Sequence, residues 1–186
     1  PINTIDGIKR AMKLPNAEIE YMGLNHFAFI TKIEQDGKDY LQEALQAGLN
    51  SESMKNIPSS GFTKEQIAAI GAIPTSYLEY YYFQDSKLDH LKHAEKSRGE
   101  RCMEIEEELL AIYQNAELHV KPAQLSQRGG ARYSEVAINL VNSIWNDVGD
   151  VQVVNVLNKG AMDFLDDNDA VEVCARIGKD GATPLK

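Results

Sequence analysis

The stretch EIEYMGLNHFAFITKIEQDG, residues 18–37, decides the fold. Residues 18–23 and 26–34 read as two extended runs, rich in β-branched and aromatic side chains. Gly23 and Asn25 suggest a turn between them. Asp36-Gly37 then closes the second run with a dipeptide typical of a hairpin tip. Two neighbouring strands with short connections imply antiparallel pairing, which a helical crossover would not produce.

Working outward, helices flank this unit. Before it, an amphipathic helix is expected from Asn3 or Thr4 to about Lys13, with Ile5, Ile8 and Met12 on one face and Pro15 beyond its end. After it, residues 39–47 have helical spacing and Gly48 is placed to stop them. Residues 50–61, NSESMKNIPSSG, are the most loop-like stretch and the candidate mobile segment. Thr63 with Gln66 forms a capping-box signature for a helix ending at Gly71. Pro74 is expected to open a further helical piece that carries Tyr77, Tyr80, Tyr81 and Tyr82.

Residues 87–113 read as helix broken near Gly99, with Met103, Ile105, Leu109, Ile112 and Tyr113 inward. Pro122 and Gly129-Gly130 bracket a loop. A helix over residues 134–146 follows, with Val136, Leu140, Val141 and Ile144 inward. Residues 151–156 and 171–177 read as strands, and Lys179-Asp180-Gly181 as a turn that begins another. The whole is an α+β chain with helices in the majority and a mainly antiparallel sheet.

A chain of 186 residues can bury one real core. Its formal charge of −9 argues against nucleic-acid binding, which draws on clustered Lys and Arg, while leaving room for a local anion pocket. No apolar run is long enough for a membrane span, and the N-terminus has no signal-peptide pattern, so the expected location is the cytoplasm. The first residue is Pro1, and the chain is expected to be a fragment or a processed product. Its two cysteines, Cys102 and Cys174, are far apart and are expected as reduced thiols. No GxGxxG turn follows a strand, and no P-loop, HExxH, GxSxG or CxxC motif occurs.

Of four histidines, His26 sits at the turn between the first two strand-like runs, where a lone histidine is more often structural than a ligand. His90 and His93 are three apart beside Asp89 and have chelating spacing, but on what reads as a solvated helix face. His119 lies in a loop. Tyr77, Tyr80 and Tyr81 share a helix face, where packing is the usual role of such a cluster. A tyrosine becomes a general base only where a nearby cation lowers its pKa. The run Glu104, Glu106, Glu107 and Glu108 reads as a solvated face. Arg98, Arg128 and Arg132 are the candidate anion binders, because guanidinium matches phosphate bidentately. Spacing alone leaves the function open.

Three segments in order resemble the family 4 glycoside hydrolases, in particular the 6-phospho-β-glucosidases. They are Gly23-Leu24-Asn25-His26; Ile73-Pro74-Thr75-Ser76-Tyr77-Leu78-Glu79-Tyr80-Tyr81; and Arg128-Gly129-Gly130-Ala131-Arg132-Tyr133-Ser134, followed by Asn146-Asp147 and Val154-Asn155-Val156-Leu157-Asn158-Lys159-Gly160. The resemblance covers almost the whole chain, residues 1–186. It implies a single substrate- and metal-binding domain like the C-terminal domain of lactate and malate dehydrogenases, without a Rossmann half.

This family departs from the paired-carboxylate mechanism of most glycosidases. The resemblance implies NAD and Mn2+ as cofactors. NAD+ takes hydride from C3 of the sugar, a tyrosine removes the C2 proton, and the divalent ion holds the resulting enediolate. The aglycone leaves by elimination, water adds, and the hydride returns. By position, His26 matches the metal-binding histidine and Tyr77 the catalytic base. Arg98 and Asn25 match the substrate pocket. A phosphorylated disaccharide such as cellobiose 6-phosphate is the implied substrate, and a homodimer or homotetramer the implied assembly.

Departures accompany the match. The family's second metal ligand is a cysteine in a Cys-Asn-x-Pro segment, and Pro1 resembles the proline of that segment. Cys102 and Cys174 stand in no matching segment. Arg132 replaces a more usual aromatic, and Val156-Leu157 a frequent Thr-Arg pair. The fragment alone is expected to be inactive. The alternatives are a 6-phospho-α-glucosidase or α-galacturonidase relative, a related 2-hydroxy-acid dehydrogenase, and a non-catalytic ligand-binding or oligomerisation module.

Overall fold

The computed structural model describes residues 2–50, 61–127 and 133–185, and side chains outside 2, 3 and 48–50. The expected loop over 50–61 and the Arg128–Arg132 segment lie almost wholly outside the described residues. The chain forms two compact units, Pro1–Gln84 with Asn139–Lys186, and Asp85–Ile138.

The first unit holds the sheet. β1 (Glu18–Leu24) and β2 (Phe27–Gln35) pair antiparallel across a two-residue turn, with Leu24 opposite Phe27. β2 continues through Asp36-Gly37 into β3 (Lys38–Asp39), and both turn residues have positive φ, 54° and 76°. That is the backbone a two-residue hairpin needs, and an Asp-Gly pair adopts it at low cost. β4 (Ile73–Pro74) pairs with β2, while β5 (Val151–Leu157), β6 (Ala170–Gly178) and β7 (Gly181–Pro184) complete the sheet, with β6 against β1. Every pairing among the described strands is antiparallel. The expectation of an antiparallel α+β domain is met.

Alternation sets which residues enter the core. Ile19 and Tyr21 of β1 are buried, as are Ala28, Ile30 and Ile33 of β2. The switch from even to odd positions in β2 comes from a bulge: Glu20 pairs with Lys32 but Tyr21 with Ile30, so Thr31 is the extra residue. Helices α1 (Ile2–Met12) and α2 (Leu41–Asn50) add Ile8, Leu41, Ala44 and Leu45 to this core. A smaller cluster of Met162, Val171 and Val173 lies below the loop after β5. There the buried Asn158 donates to the carbonyls of Met162 and Leu165 at 2.8 and 2.9 Å and accepts from Met162 N–H at 2.7 Å. Asn158 is therefore a clamp on its own loop.

Two local expectations need correction. Gly48 does not stop α2, which runs to Asn50; its start is set by Asp39, whose Oδ1 accepts from Leu41 N–H at 2.8 Å. Pro74 does not open a helix. It lies in β4, where an edge position tolerates the missing N–H, and the tyrosines follow on a short 3-10 turn, Ser76–Leu78, and on α4 (Glu79–Tyr82). The capping box on α3 (Lys64–Ile70) is as expected: Thr63 and Gln66 exchange both bonds, and Gly71 takes the left-handed cap.

The second unit is helical. It comprises most of α5 (Gln84–His93), then α6 (Arg98–Tyr113) and a 3-10 turn, Ala123–Gln127. The break falls at Ser97 rather than Gly99, because Ser97 and Glu100 form a second capping box that starts α6. Ile105 and Leu109 are buried as expected, but Met103 and Tyr113 are exposed. The inward stripe is 102/105/109/112, with Cys102 and Ile112 half-buried; Met103 lies off it, and Tyr113 is the exposed last residue of the helix.

Helix α7 (Tyr133–Trp145) spans the boundary between the units. Val136 and Leu140 are half-buried as expected, Val141 and Ile144 are exposed rather than inward, and Ser143 is the buried residue. Its Oγ donates to Asn139 O at 2.9 Å and accepts from Gln152 Nε2 at 2.9 Å, so a polar contact completes the inward face of this helix. Among the described residues no helix is long and apolar enough to cross a membrane.

Candidate functional site

The turn between β1 and β2 carries the candidate chemistry. Gly23 lets the two strands close up: a Cβ there would stand 2.3 Å from Phe27 O and 2.5 Å from Ala28 Cα. The turn residues are Asn25, which is exposed, and His26, which has φ 71°. Glycine or asparagine is usual at a left-handed position, and histidine enters it at some cost in strain.

Contacts from distant parts of the chain hold His26 in place. Its N–H donates to Glu172 Oε2 at 2.6 Å, and its carbonyl accepts from Thr75 Oγ1 at 2.6 Å. Its Nδ1 faces Glu172 Oε1 at 3.4 Å, with the imidazole 43% exposed and the carboxylate side chain only 4% exposed. Thr75 leads into the 3-10 turn bearing Tyr77, and this brings the Tyr77 ring to 5.3 Å from the His26 ring. His26 and Tyr77 are thus neighbours, although 51 positions separate them in the sequence (77 − 26).

Glu172 is the residue that sequence reasoning missed. It projects from β6 within the run AVEVCARIG and is buried among Val171, Val173 and Cys174. A buried carboxylate is stable only when hydrogen-bonded. Glu172 meets that need through His26 N–H and through Tyr21 Oη, which donates to Oε2 at 3.0 Å. The lone acidic residue inside an apolar strand was the available signal. Burial first, and then the charge of Glu172 and the bond to it, raise the Tyr21 hydroxyl well above the ordinary phenol range, so it is a fixed donor.

The tyrosine cluster divides by role. Tyr81 and Tyr82 pack on Phe27 at 5.6 and 6.0 Å, and Phe62 lies against Tyr82 and Phe83. These are packing contacts beside the hairpin. Tyr77 stands apart from them, 54% exposed and next to the histidine.

Other candidates have different surroundings. Arg98 lies in the second unit, where Nη2 donates to Gln127 O at 3.0 Å. His93 Nδ1 stands 3.4 Å from Asp89 Oδ1, the same distance as in the His26 pair, but both side chains are about three-quarters exposed, 77% and 74%. Such a pair is solvent-screened, and His93 Nδ1 is already engaged by the Asp89 carbonyl at 2.8 Å. Cys102 is half-buried and Cys174 buried, both as free thiols; Cys174 donates to Ile19 O at 3.3 Å, and burial raises its pKa. Among the described residues no three His, Cys, Asp or Glu side chains are grouped to enclose a metal ion.

Comparison with known proteins bears on this geometry. Residues 21–186 match the family 4 glycosyl hydrolase C-terminal domain. The chain is 35% identical to a probable 6-phospho-β-glucosidase of Bacillus subtilis, over 100% of this chain and 44% of that protein. It is 36% identical to the 6-phospho-β-glucosidase of Escherichia coli, over 89% of this chain and 38% of that protein. The chain therefore spans less than half the length of these curated relatives. Among solved structures, it is similar to the 6-phospho-β-glucosidase of Thermotoga maritima with manganese, NAD+ and glucose-6-phosphate, at a TM-score of 0.85 and 28% identity, over 100% of this chain and 44% of that one.

Proposed function

We propose that this chain, which belongs to the family 4 glycosyl hydrolases as their C-terminal domain, supplies the metal- and substrate-binding part of a longer 6-phospho-β-glucosidase. The observation that carries the reading is the pairing of His26 with Tyr77 at 5.3 Å, at a strained turn. Backbone strain held by tertiary contacts is a mark of functional positions. The two curated relatives at 35% and 36% identity both bear the β-glucosidase name, which favours the β anomer over the α-glucosidase and galacturonidase alternatives.

The residues present fit a divalent ion in part. His26 would ligate it through Nε2, since Nδ1 is turned to the buried Glu172 carboxylate, the usual outer partner of a metal-bound imidazole. Among the described residues no three His, Cys, Asp or Glu side chains are grouped, so His26 would be one member of a set that the described residues do not complete. Mn2+, when bound, supplies Lewis-acid charge for the sugar oxygens and favours the ionised form of a nearby tyrosine. No described residue forms a dinucleotide-binding turn, so NAD is assigned to the remainder of the longer protein and no step through it is derived.

Within that frame each residue of this chain has one task. Tyr77 Oη takes the proton from C2 of the sugar. The exposed edge of the His26 ring marks where the sugar's C2–C3 region must lie. Asn25, next to His26, contacts a sugar hydroxyl, and Arg98 contacts the phosphate or a hydroxyl through its guanidinium. The substrate is a phosphorylated β-disaccharide such as cellobiose 6-phosphate, and the assembly a cytoplasmic homodimer or homotetramer.

The test is an assay of the parent polypeptide on chromogenic α- and β-glucoside 6-phosphates, with and without NAD+ and Mn2+. Cleavage of the β substrate alone, needing both cofactors, is the expected result. Tyr77→Phe should lose about 10²- to 10⁴-fold in kcat, the range for a proton-transfer residue. Cleavage without cofactors, or an unaltered Tyr77→Phe rate, would overturn the reading.

A further inference from the structure

We propose that Glu172 is a positioning residue for His26: its carboxylate holds the imidazole as the Nδ1–H tautomer and thereby presents the Nε2 lone pair to a divalent cation. This rests on the reading of His26 as a metal ligand, and it adds the group that gives that ligand its direction.

The two oxygens of Glu172 have separate duties. Oε2 accepts from two donors, the His26 backbone N–H at 2.6 Å and Tyr21 Oη at 3.0 Å. Oε1 faces the ring nitrogen Nδ1 at 3.4 Å. A carboxylate can only accept, so the favourable tautomer places the proton on Nδ1. Nε2 then has its lone pair exposed, which is the form that binds metals. One side chain thus fixes both the turn that displays the ring and the face the ring displays.

A merely structural Glu172 would hold the turn without governing the tautomer. Glu172→Gln separates the two roles. The backbone N–H of His26 cannot accept a hydrogen bond, so the amide carbonyl must take the place of Oε2. The NH2 group then faces Nδ1 and donates to it. The turn survives, but the imidazole becomes the Nε2–H tautomer, with no lone pair left on Nε2.

The experiment uses the full 186-residue chain, 15N-labelled, and reads the His26 tautomer by long-range 1H–15N correlation near pH 8, where an ordinary imidazole is neutral. The expected result is Nδ1–H in the wild type and Nε2–H in Glu172→Gln, with β1 and β2 amide shifts retained in both. The same tautomer in both proteins, or Nε2–H in the wild type, would overturn the proposal. Mn2+ alone is then added to the longer parent polypeptide, as wild type and as Glu172→Gln. Selective paramagnetic broadening at residues 24–27 in the wild type, weakened at least about tenfold in the variant, supports the full proposal. Equal broadening in the two proteins would overturn it. A tautomer that flips while Mn2+ broadens neither protein would instead sink the metal reading of His26 and support the hold of Glu172 on the ring.

Discussion

Strand β2 ends in two tight turns of equal length that are held by opposite means. Asp36-Gly37 is specified by its own residues: both have positive φ, 54° and 76°, both are exposed, and a Cβ on Gly37 would meet nothing within 4 Å. Asn25-His26 places a histidine at φ 71°, and distant residues, Thr75 and Glu172, hold both of its backbone polar groups. The first turn would form in almost any hairpin. The second exists because the rest of the fold over-determines it, which is the condition under which strain persists at sites of function.

The largest expected effect separates the two glycines. In Gly23→Ala the new Cβ meets backbone atoms at 2.3 and 2.5 Å, and these cannot move without opening the hairpin. A loss of about 3 kcal/mol is expected, as for severe overpacking. Gly37→Ala meets no atoms and should cost about 1 kcal/mol from the left-handed backbone alone. Urea unfolding of the two variants measures the difference. Equal costs would mean that the Asn25-His26 turn has no tighter hold than the other.

A middle-sized effect tests the buried carboxylate. Tyr21→Phe removes one of the two donors to Glu172 Oε2 and should cost about 1.5 kcal/mol, the value of a bond to a charged group. It also carries a pH signature. The Tyr21 hydroxyl has a folded pKa raised above its unfolded value, so its contribution is complete below about pH 10 and falls as pH rises beyond it. The wild type should lose stability on the alkaline side with a slope one proton steeper than Tyr21→Phe. Parallel slopes in urea unfolding at pH 8 to 11 would show that Tyr21 is not sealed against ionisation.

The same contrast explains what was legible in the sequence. Asp36-Gly37, the Thr63–Gln66 box and the strand runs carry their reasons within a few residues, and the fold shows them where expected. The His26–Tyr77 neighbourhood was reachable only through resemblance to a family, because β4 and Thr75 create it by pairing with β2. Glu172 lies 146 positions from His26 and was absorbed into a β-branched run. The end of α7 escaped for a related reason. Apolar spacing marked Val136, Leu140, Val141 and Ile144 as inward; the first two are half-buried, but the inward stripe then continues to Ser143, which accepts from Gln152, and Val141 and Ile144 stay exposed.

The smallest effect is the one that links strain to purpose. Replacing His26 by glycine removes a side chain from a left-handed position, which is worth about 1 kcal/mol. Against this stand the greater freedom of glycine in the unfolded chain, about 0.5 kcal/mol, and the lost contacts of the ring with Tyr77 and of Nδ1 with Glu172 Oε1. His26→Gly should therefore lie within about 1 kcal/mol of the wild type, and His26→Ala about 1 kcal/mol below the glycine variant. Both should lose Mn2+-dependent broadening at residues 24–27. Asp36→Gly in the other turn should alter neither stability by more than a few tenths of a kcal/mol nor Mn2+ binding. If His26→Gly were markedly destabilised, the ring would be a packing element and the turn strained for the sake of the fold. Stability that holds while binding disappears means that the fold tolerates this histidine in a costly conformation for the sake of its free nitrogen.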